Sequence, residues 1–228
     1  MRGSILRRSE DLGLERGQVI LTFDDGPAGA GRTEALLDLL DHHGIRAGFC
    51  VVGREVERRP EVCRRIEAGG HLLVNHSFAH VSPLSLTEEA LAADLERCDA
   101  AIGKALGRDH YRSRWFRPPG GILSQGVQRV LARTGRDLYP ITNFAWDIFP
   151  FPGNQWRIAT SLRGDLKRCR AGVYILHEWI YPILASGPVP SVRPGDCPWL
   201  LPVVEGFIAE VKRQGAVFVE PDRLPQGE

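Results

Sequence analysis

Val19, Ile20, Leu21 and Phe23 form a short apolar run that ends in two adjacent carboxylates, Asp24 and Asp25, and is broken at once by Gly26-Pro27. The β-branched and aromatic content predicts a strand, and the Gly-Pro pair predicts a turn after it. Further short apolar runs follow at Ile45–Val52, His71–Val74, Trp115–Phe116 and Val173–Leu176, with stretches of helical periodicity between them. Such alternation requires a parallel sheet covered by helices, either a barrel or a doubly wound sheet. In both, ligands bind at the carboxyl ends of strands, which is where Asp24 and Asp25 fall. Taken alone, the pair also fits a solvated acidic turn.

The helical stretches are Arg32–His43, closed by Gly44, and Glu55–Ala68, closed by Gly69-Gly70. Ser85-Leu86-Thr87-Glu88 offers a Ser-x-x-Glu capping pattern before a long helix reaching Leu106. Val127–Arg133, Trp156–Arg168 and Leu200–Gln214 complete the set, with strand pieces in Leu138–Trp146 and a last strand at Ala216–Val219. The expected organisation is an N-terminal arm, 1–17, and one domain, 18–228, interrupted by a long Pro/Gly/aromatic loop at 178–198.

With 228 residues, 43% of them hydrophobic, the chain is long enough for one sizeable core. Basic and acidic residues nearly cancel, 29 against 28, so no polybasic face for nucleic acid or anionic membrane is expected. No apolar run approaches the roughly 18 residues of a membrane span. Arg2, Arg7 and Arg8 are followed by Ser9, Glu10 and Asp11 rather than by an apolar segment, unlike a secretion signal. The five cysteines lack CxxC spacing and fit free thiols in a reducing compartment. These features set the expectation of a cytoplasmic protein.

Three further groups carry chemistry. His76 and His80 follow a strand, four residues apart, a spacing that one helical turn would bring onto one face. Two imidazoles and a carboxylate make a three-ligand metal site with an open position. Arg117 precedes Pro118-Pro119-Gly120, so the first free backbone donor after it is Gly120 N–H. Leu176-His177 closes an apolar strand, where a barrel places a catalytic imidazole. An ordinary Pro-Gly turn is the alternative for Arg117-Pro118-Pro119-Gly120 and a structural histidine the plainer reading of His177 alone, as for the adjacent His42-His43 at a helix end, whereas the spacing of His76 and His80 after a strand favours ligation.

Their order and content together resemble the NodB-type polysaccharide deacetylases, carbohydrate esterase family four. The resemblance runs from Thr22-Phe23-Asp24-Asp25-Gly26-Pro27 through Asn75-His76-Ser77-Phe78-Ala79-His80 and Arg117-Pro118-Pro119-Gly120 to Ile175-Leu176-His177. It implies a distorted (β/α) barrel with fewer than eight complete units. It also implies a divalent metal, zinc before cobalt, nickel or manganese, and an N-acetylated glycan or oligosaccharide as substrate. By the same resemblance Asp25, His76 and His80 are metal ligands, Asp24 is the general base held by Arg117, and His177 is the general acid. Gly120 N–H would serve the oxyanion, and Leu176 would line the pocket for the acetyl methyl.

The chain departs from the family pattern in three places. Gly120 stands where many relatives carry an aromatic residue. In the fourth motif, Trp146-Asp147-Ile148-Phe149 puts Phe149 where an Asp is expected, leaving Asp147 as the candidate to tune His177 against the rule that adjacent strand residues face opposite ways. The loop after His177 brings Glu178, Trp179, Tyr181, Pro182 and Trp199 as a candidate aromatic wall or lid, with a surface loop as the alternative. The same site would also serve an O-acetyl esterase or a small-molecule amidohydrolase, and a non-catalytic metal- or glycan-binding barrel is the reading from another class.

Overall fold

The computed structural model describes residues 5–145, 147–148, 154–169, 171–179, 197 and 199–225. Among them, β1 (Gln18–Gly26), β2 (Gly48–Val51), β3 (Leu72–Asn75), β4 (Trp115–Phe116), β5 (Asp137–Leu138), β6 (Asn143–Phe144) and β7 (Gly172–His177) pair in the order β5-β4-β3-β2-β1-β7-β6. β8 (Val217–Phe218) pairs with the start of β1, and every pairing is parallel. The connections carry α1 (Arg32–His42), α2 (Gly53–Arg58), α3 (Pro60–Ala68), α4 (Glu88–Leu106), α5 (Gln125–Thr134), α6 (Asn154–Cys169) and α7 (Leu200–Arg213). The result is the distorted, incomplete (β/α) barrel, with β1 between β2 and β7.

Strand alternation divides the apolar residues between two layers. Val19, Leu21 and Phe23 of β1, with Tyr174 and Leu176 of β7, pack with Leu36, Ile66 and Phe207 from the helices. Ile20 and Val173 face the other way, into a cluster with Val74, Trp115 and Tyr139 inside the barrel. Full burial of each large apolar side chain contributes about 1.5–3 kcal/mol, so the helix-facing layer is the principal source of stability. The N-terminal segment takes part in this packing. Leu12 and Leu14 join the interior cluster, Ile5 packs on Ile141 and Ile175, and Leu6 bridges to Ile141.

Two helical expectations are corrected. Glu55–Ala68 is not one helix but α2 and α3, because Pro60 disfavours helical geometry at the residue before it, and Arg59 turns to φ −139°, ψ 57°. The cap of α4 is Thr87, whose hydroxyl accepts from Ala90 N–H at 3.2 Å, while Ser85 lies in a preceding 3₁₀ turn, Pro83–Ser85.

Candidate metal centre and active site

β1 supplies both carboxylates by breaking its own register. Asp24 lies opposite Cys50 on β2, the next partnered residue is Gly26 opposite Val51, and Asp25 between them is extra, at φ 72°. Such a bulge re-aims a side chain. In an unbroken strand two neighbours would point to opposite faces; here Asp24 Oδ2 lies 3.7 Å and Asp25 Oδ1 3.3 Å from the same atom, His76 Nε2.

His76 leaves the end of β3 and His80 follows in a loop. No helical turn joins them: Ser77 and His80 adopt φ 68° and 53°, so a folded-back loop rather than a helix face brings the rings together. Their centroids are 5.1 Å apart, and His80 Nε2 lies 3.0 Å from Asp25 Oδ1. His76 Nδ1 lies 2.6 Å from the carbonyl oxygen of Arg117. That carbonyl only accepts, so Nδ1 carries a hydrogen and Nε2 is the ring nitrogen turned to Asp25.

Asp25, His76 and His80 each offer a ligand atom, all within 4.8 Å of one another. A metal fits this set on the structure's own evidence. Among the described residues Asp25 Oδ1 is buried and close to both Nε2 atoms, yet makes no aligned hydrogen bond, the condition of a carboxylate oxygen aimed at a shared cation rather than at a proton. Two imidazoles and one carboxylate are an established donor set for zinc and for its first-row neighbours. Burial opposes ionisation of Asp25, but His80, His76 and His177 outweigh it and hold the carboxyl far below the usual range.

Asp24 is held from its other side. Arg117, following β4 and fully buried, donates from Nη1 to Asp24 Oδ1 at 2.6 Å and to Thr22 Oγ1 at 2.8 Å. Its remaining donors reach carbonyls, Nη2 to Pro140 at 3.0 Å and Nε to Tyr139 at 3.4 Å. Burial raises the Asp24 carboxyl, and Arg117, supported by His76 and His177, overcomes this and leaves it below the ordinary value. Asp24 is therefore an ionised acceptor whose Oδ2 is turned toward the histidines.

His177, opposite Asp24 in the β1–β7 register, enters from the other side. Asp147 anchors it twice: Oδ2 accepts the His177 backbone N–H at 2.6 Å, and Oδ1 lies 2.9 Å from Nδ1. The strand-parity objection to Asp147 does not apply, because β6 ends at Phe144 and Asp147 sits in the turn beyond it. Burial lowers the His177 pKa, but Asp147, with Asp25 and Asp24 adding to it, raises it to about 9. The ring is thus an imidazolium at neutral pH, with Nε2 as its second N–H.

Two other site expectations are corrected. Leu176 does not share the face of His177; it is fully buried in the helix-side core, and strand alternation puts Ile175 on the His177 side, packed with Ile5 and Ile141. Of the expected aromatic wall, Trp199 lies in the core at the start of α7, and Trp179 is half-buried. Glu178 is buried with its carboxylate bonded to the Thr33 hydroxyl, and a Cβ on Gly26 would overlap it. Gly120 is exposed at φ 66°, ψ 12°, in a tight turn beside Arg117. Trp146, Phe149, Tyr181 and Pro182 lie outside the described residues.

An incomplete parallel α/β barrel with an Asp-His-His cluster at the carboxyl ends of its strands defines the chain as a barrel with a metal-binding type of site. The sequence profile of the polysaccharide deacetylase family matches residues 12–139, more than half of the chain, and the chain belongs to that family. It is 31% identical over 162 residues to the peptidoglycan-N-acetylmuramic acid deacetylase PdaA of Bacillus subtilis, covering 70% of this chain and 59% of that protein. It is 26% identical over 176 residues to a chitooligosaccharide deacetylase of Azorhizobium caulinodans, covering 77% and 80%. The chitin deacetylase of the fungus Colletotrichum lindemuthianum has the same fold, with a TM-score of 0.75 at 21% identity over 93% of this chain and 89% of that one. The profile match ends before Asp147 and His177, so the acid side of the site rests on geometry.

Proposed function

We propose that this chain is a metal-dependent hydrolase that removes N-acetyl groups from amino sugars in an oligosaccharide or polysaccharide. The observation that carries the reading is the division of labour around His76 Nε2. A buried Asp-His-His ligand set lies beside a separate carboxylate, Asp24, that Arg117 holds ionised, and Asp147 holds a charged imidazole opposite. The relatives' names support the class of substrate, as deacetylases of peptidoglycan and of chitooligosaccharides.

Asp25, His76 and His80 would hold the ion, with zinc the best fit to this donor set. When bound, such an ion supplies Lewis acidity, lowering the pKa of water towards about 7 and polarising an acyl oxygen. Asp24 takes the proton of the attacking water, and its Oδ1 bond to Arg117 leaves Oδ2 facing the cluster. His177 gives its Nε2 proton to the departing amine, the step an amide needs because an unprotonated amine is a very poor leaving group. Asp147 keeps that proton available by fixing Nδ1–H and favouring the cation. Gly120 N–H contributes to oxyanion stabilisation from the Arg117 side.

Acetate release from N-acetylglucosamine oligomers, measured with and without chelator, tests the reading. Activity that chelator abolishes and zinc restores is expected. Full activity in chelator, or after His76→Ala, would overturn the metal mechanism, and a panel of O-acetylated sugars and small amides separates amide from ester specificity.

A further inference from the structure

The loop that carries His76 and His80 is held by a buried ion pair that touches neither histidine. Asp99, on the inner face of α4, and Arg136, just past the end of α5, are 3% and 7% exposed, and Arg136 Nη2 donates to Asp99 Oδ2 at 2.5 Å. Asp99 Oδ1 accepts from Asn75 Nδ2 at 2.8 Å, and the same Nδ2 reaches the Leu95 carbonyl at 2.9 Å. Two acceptors on the amide nitrogen determine which way the Asn75 amide faces. Flipped over, its oxygen would meet a carbonyl and a carboxylate. Oδ1 is therefore turned to accept Ser77 N–H at 2.9 Å, directly between the two histidines.

Ser77 needs this hold. Its φ of 68° is uncommon for a residue with a side chain and persists only where surroundings over-determine it. Ser77 Oγ in turn accepts His80 N–H at 2.8 Å, and α4 adds a second grip, Asp94 Oδ2 on Phe78 N–H at 2.8 Å. A buried ion pair is no better for stability than apolar residues of equal volume, and among the described residues Arg136 Nε is buried with no partner at all. We infer that Asp99 and Arg136 are positioning residues for the metal centre: Arg136 orients Asp99, Asp99 orients Asn75, and Asn75 sets the loop that spaces His76 and His80. The inference rests on the metal-centre reading above.

The test is zinc affinity of the full chain, by competition with a chromophoric chelator, beside thermal melting of the metal-free protein. Asp99→Leu/Arg136→Met removes both charges and the acceptor for Asn75. It is expected to melt within a few degrees of the unaltered chain and to bind zinc about 10-fold more weakly or worse, the usual loss when a ligand's supporting partner is removed. Asp99→Asn/Arg136→Met restores an acceptor at the same place without charge and should recover most of that affinity. Asn75→Ala should cost as much as Asp99→Leu/Arg136→Met, and combining the three should cost no more, since all act through one bond; this comparison holds even if the Leu/Met variant folds poorly. Additive losses, or zinc affinities within threefold of the unaltered chain, would overturn the inference while leaving the metal centre in place. Absence of zinc binding by the unaltered chain would overturn both.

Discussion

Asp147 binds His177 at two points, the backbone N–H at 2.6 Å and Nδ1 at 2.9 Å, so one buried carboxylate sets both the path of β7's last residue and the charge of its ring. An imidazolium raised to about 9 suits an acid that must still hold its proton when Asp24 has lost its own. Asp147→Asn keeps an acceptor for Nδ1–H but removes the charge, leaving the lowering effect of burial less opposed. The alkaline limb of the kcat profile is then expected to move to lower pH by at least about one unit, with kcat at pH 8 falling by about 2-fold or more. An unmoved limb in the variant would show that another group controls it.

The two carboxylates of β1 are expected to fail in different ways. Asp25→Asn removes a ligand from a buried cluster, and zinc affinity by chelator competition should fall by about 10²-fold or more. Asp24→Asn leaves the cluster complete. It should bind zinc within a few-fold of the unaltered chain while acetate release drops by about 10²–10⁴-fold, the range for loss of a general base. Equal loss of zinc in both variants would mean that Asp24 is a ligand too.

Arg117 is the cation on which the buried Asp24 depends. Arg117→Met leaves that carboxylate without its 2.6 Å partner and is expected to cost about 3–5 kcal/mol of stability, read by denaturant unfolding at neutral pH. Arg117→Lys keeps the charge but lacks the planar fork that reaches Asp24, Thr22 and the Tyr139 and Pro140 carbonyls together, so part of the loss should remain. Residual activity in the Met variant should rise with pH, because Asp24 without Arg117 holds its proton higher. Unchanged stability in both variants would contradict the pairing.

What was legible from sequence follows how far each signal reaches along the chain. Asp24, Asp25, His76, His80, Arg117 and His177 stand at or just beyond strand ends, where a barrel collects chemistry, so strand punctuation located them. The resemblance puts Leu176 at the pocket, whereas period-2 alternation from His177 selects Ile175 and leaves Leu176 in the helix-side core. Asp147 was not decidable, because its reach to His177 depends on a turn after β6 that has no local signature. Asp99 and Arg136 were invisible for a simpler reason. Charged residues within or beside amphipathic helices ordinarily face water, and only the packing of α4 on β3 buries Asp99 against Asn75.

Glu178 yields a prediction that does not involve catalysis. Its carboxyl is fully buried between the Gly26-Pro27 turn and α1, with Oε2 bonded to the Thr33 hydroxyl, which itself accepts Ala28 N–H at 2.8 Å, and with Oε1 unpaired among the described residues. Burial, helped by Asp25, raises its pKa from 4.5 to about 7 against the lowering effects of Thr33 and Arg32. A carboxyl raised in the folded state binds its proton there more tightly than in the unfolded chain. Its contribution is complete below about pH 4.5 and is lost as pH rises through about 7, up to about 3 kcal/mol for a shift of this size. Glu178→Gln has the shape of the protonated acid and no charge to bury. In chelator, the unaltered chain should lose stability relative to Glu178→Gln as pH rises from 5 to 8, and the variant should be the more stable of the two at pH 8. The comparison cancels the separate loss from His177, which is also raised and whose contribution fades between about pH 6.5 and 9 in both proteins. Parallel stability curves would show that Glu178 is ionised across the whole range and that Thr33 and Arg32 outweigh its burial.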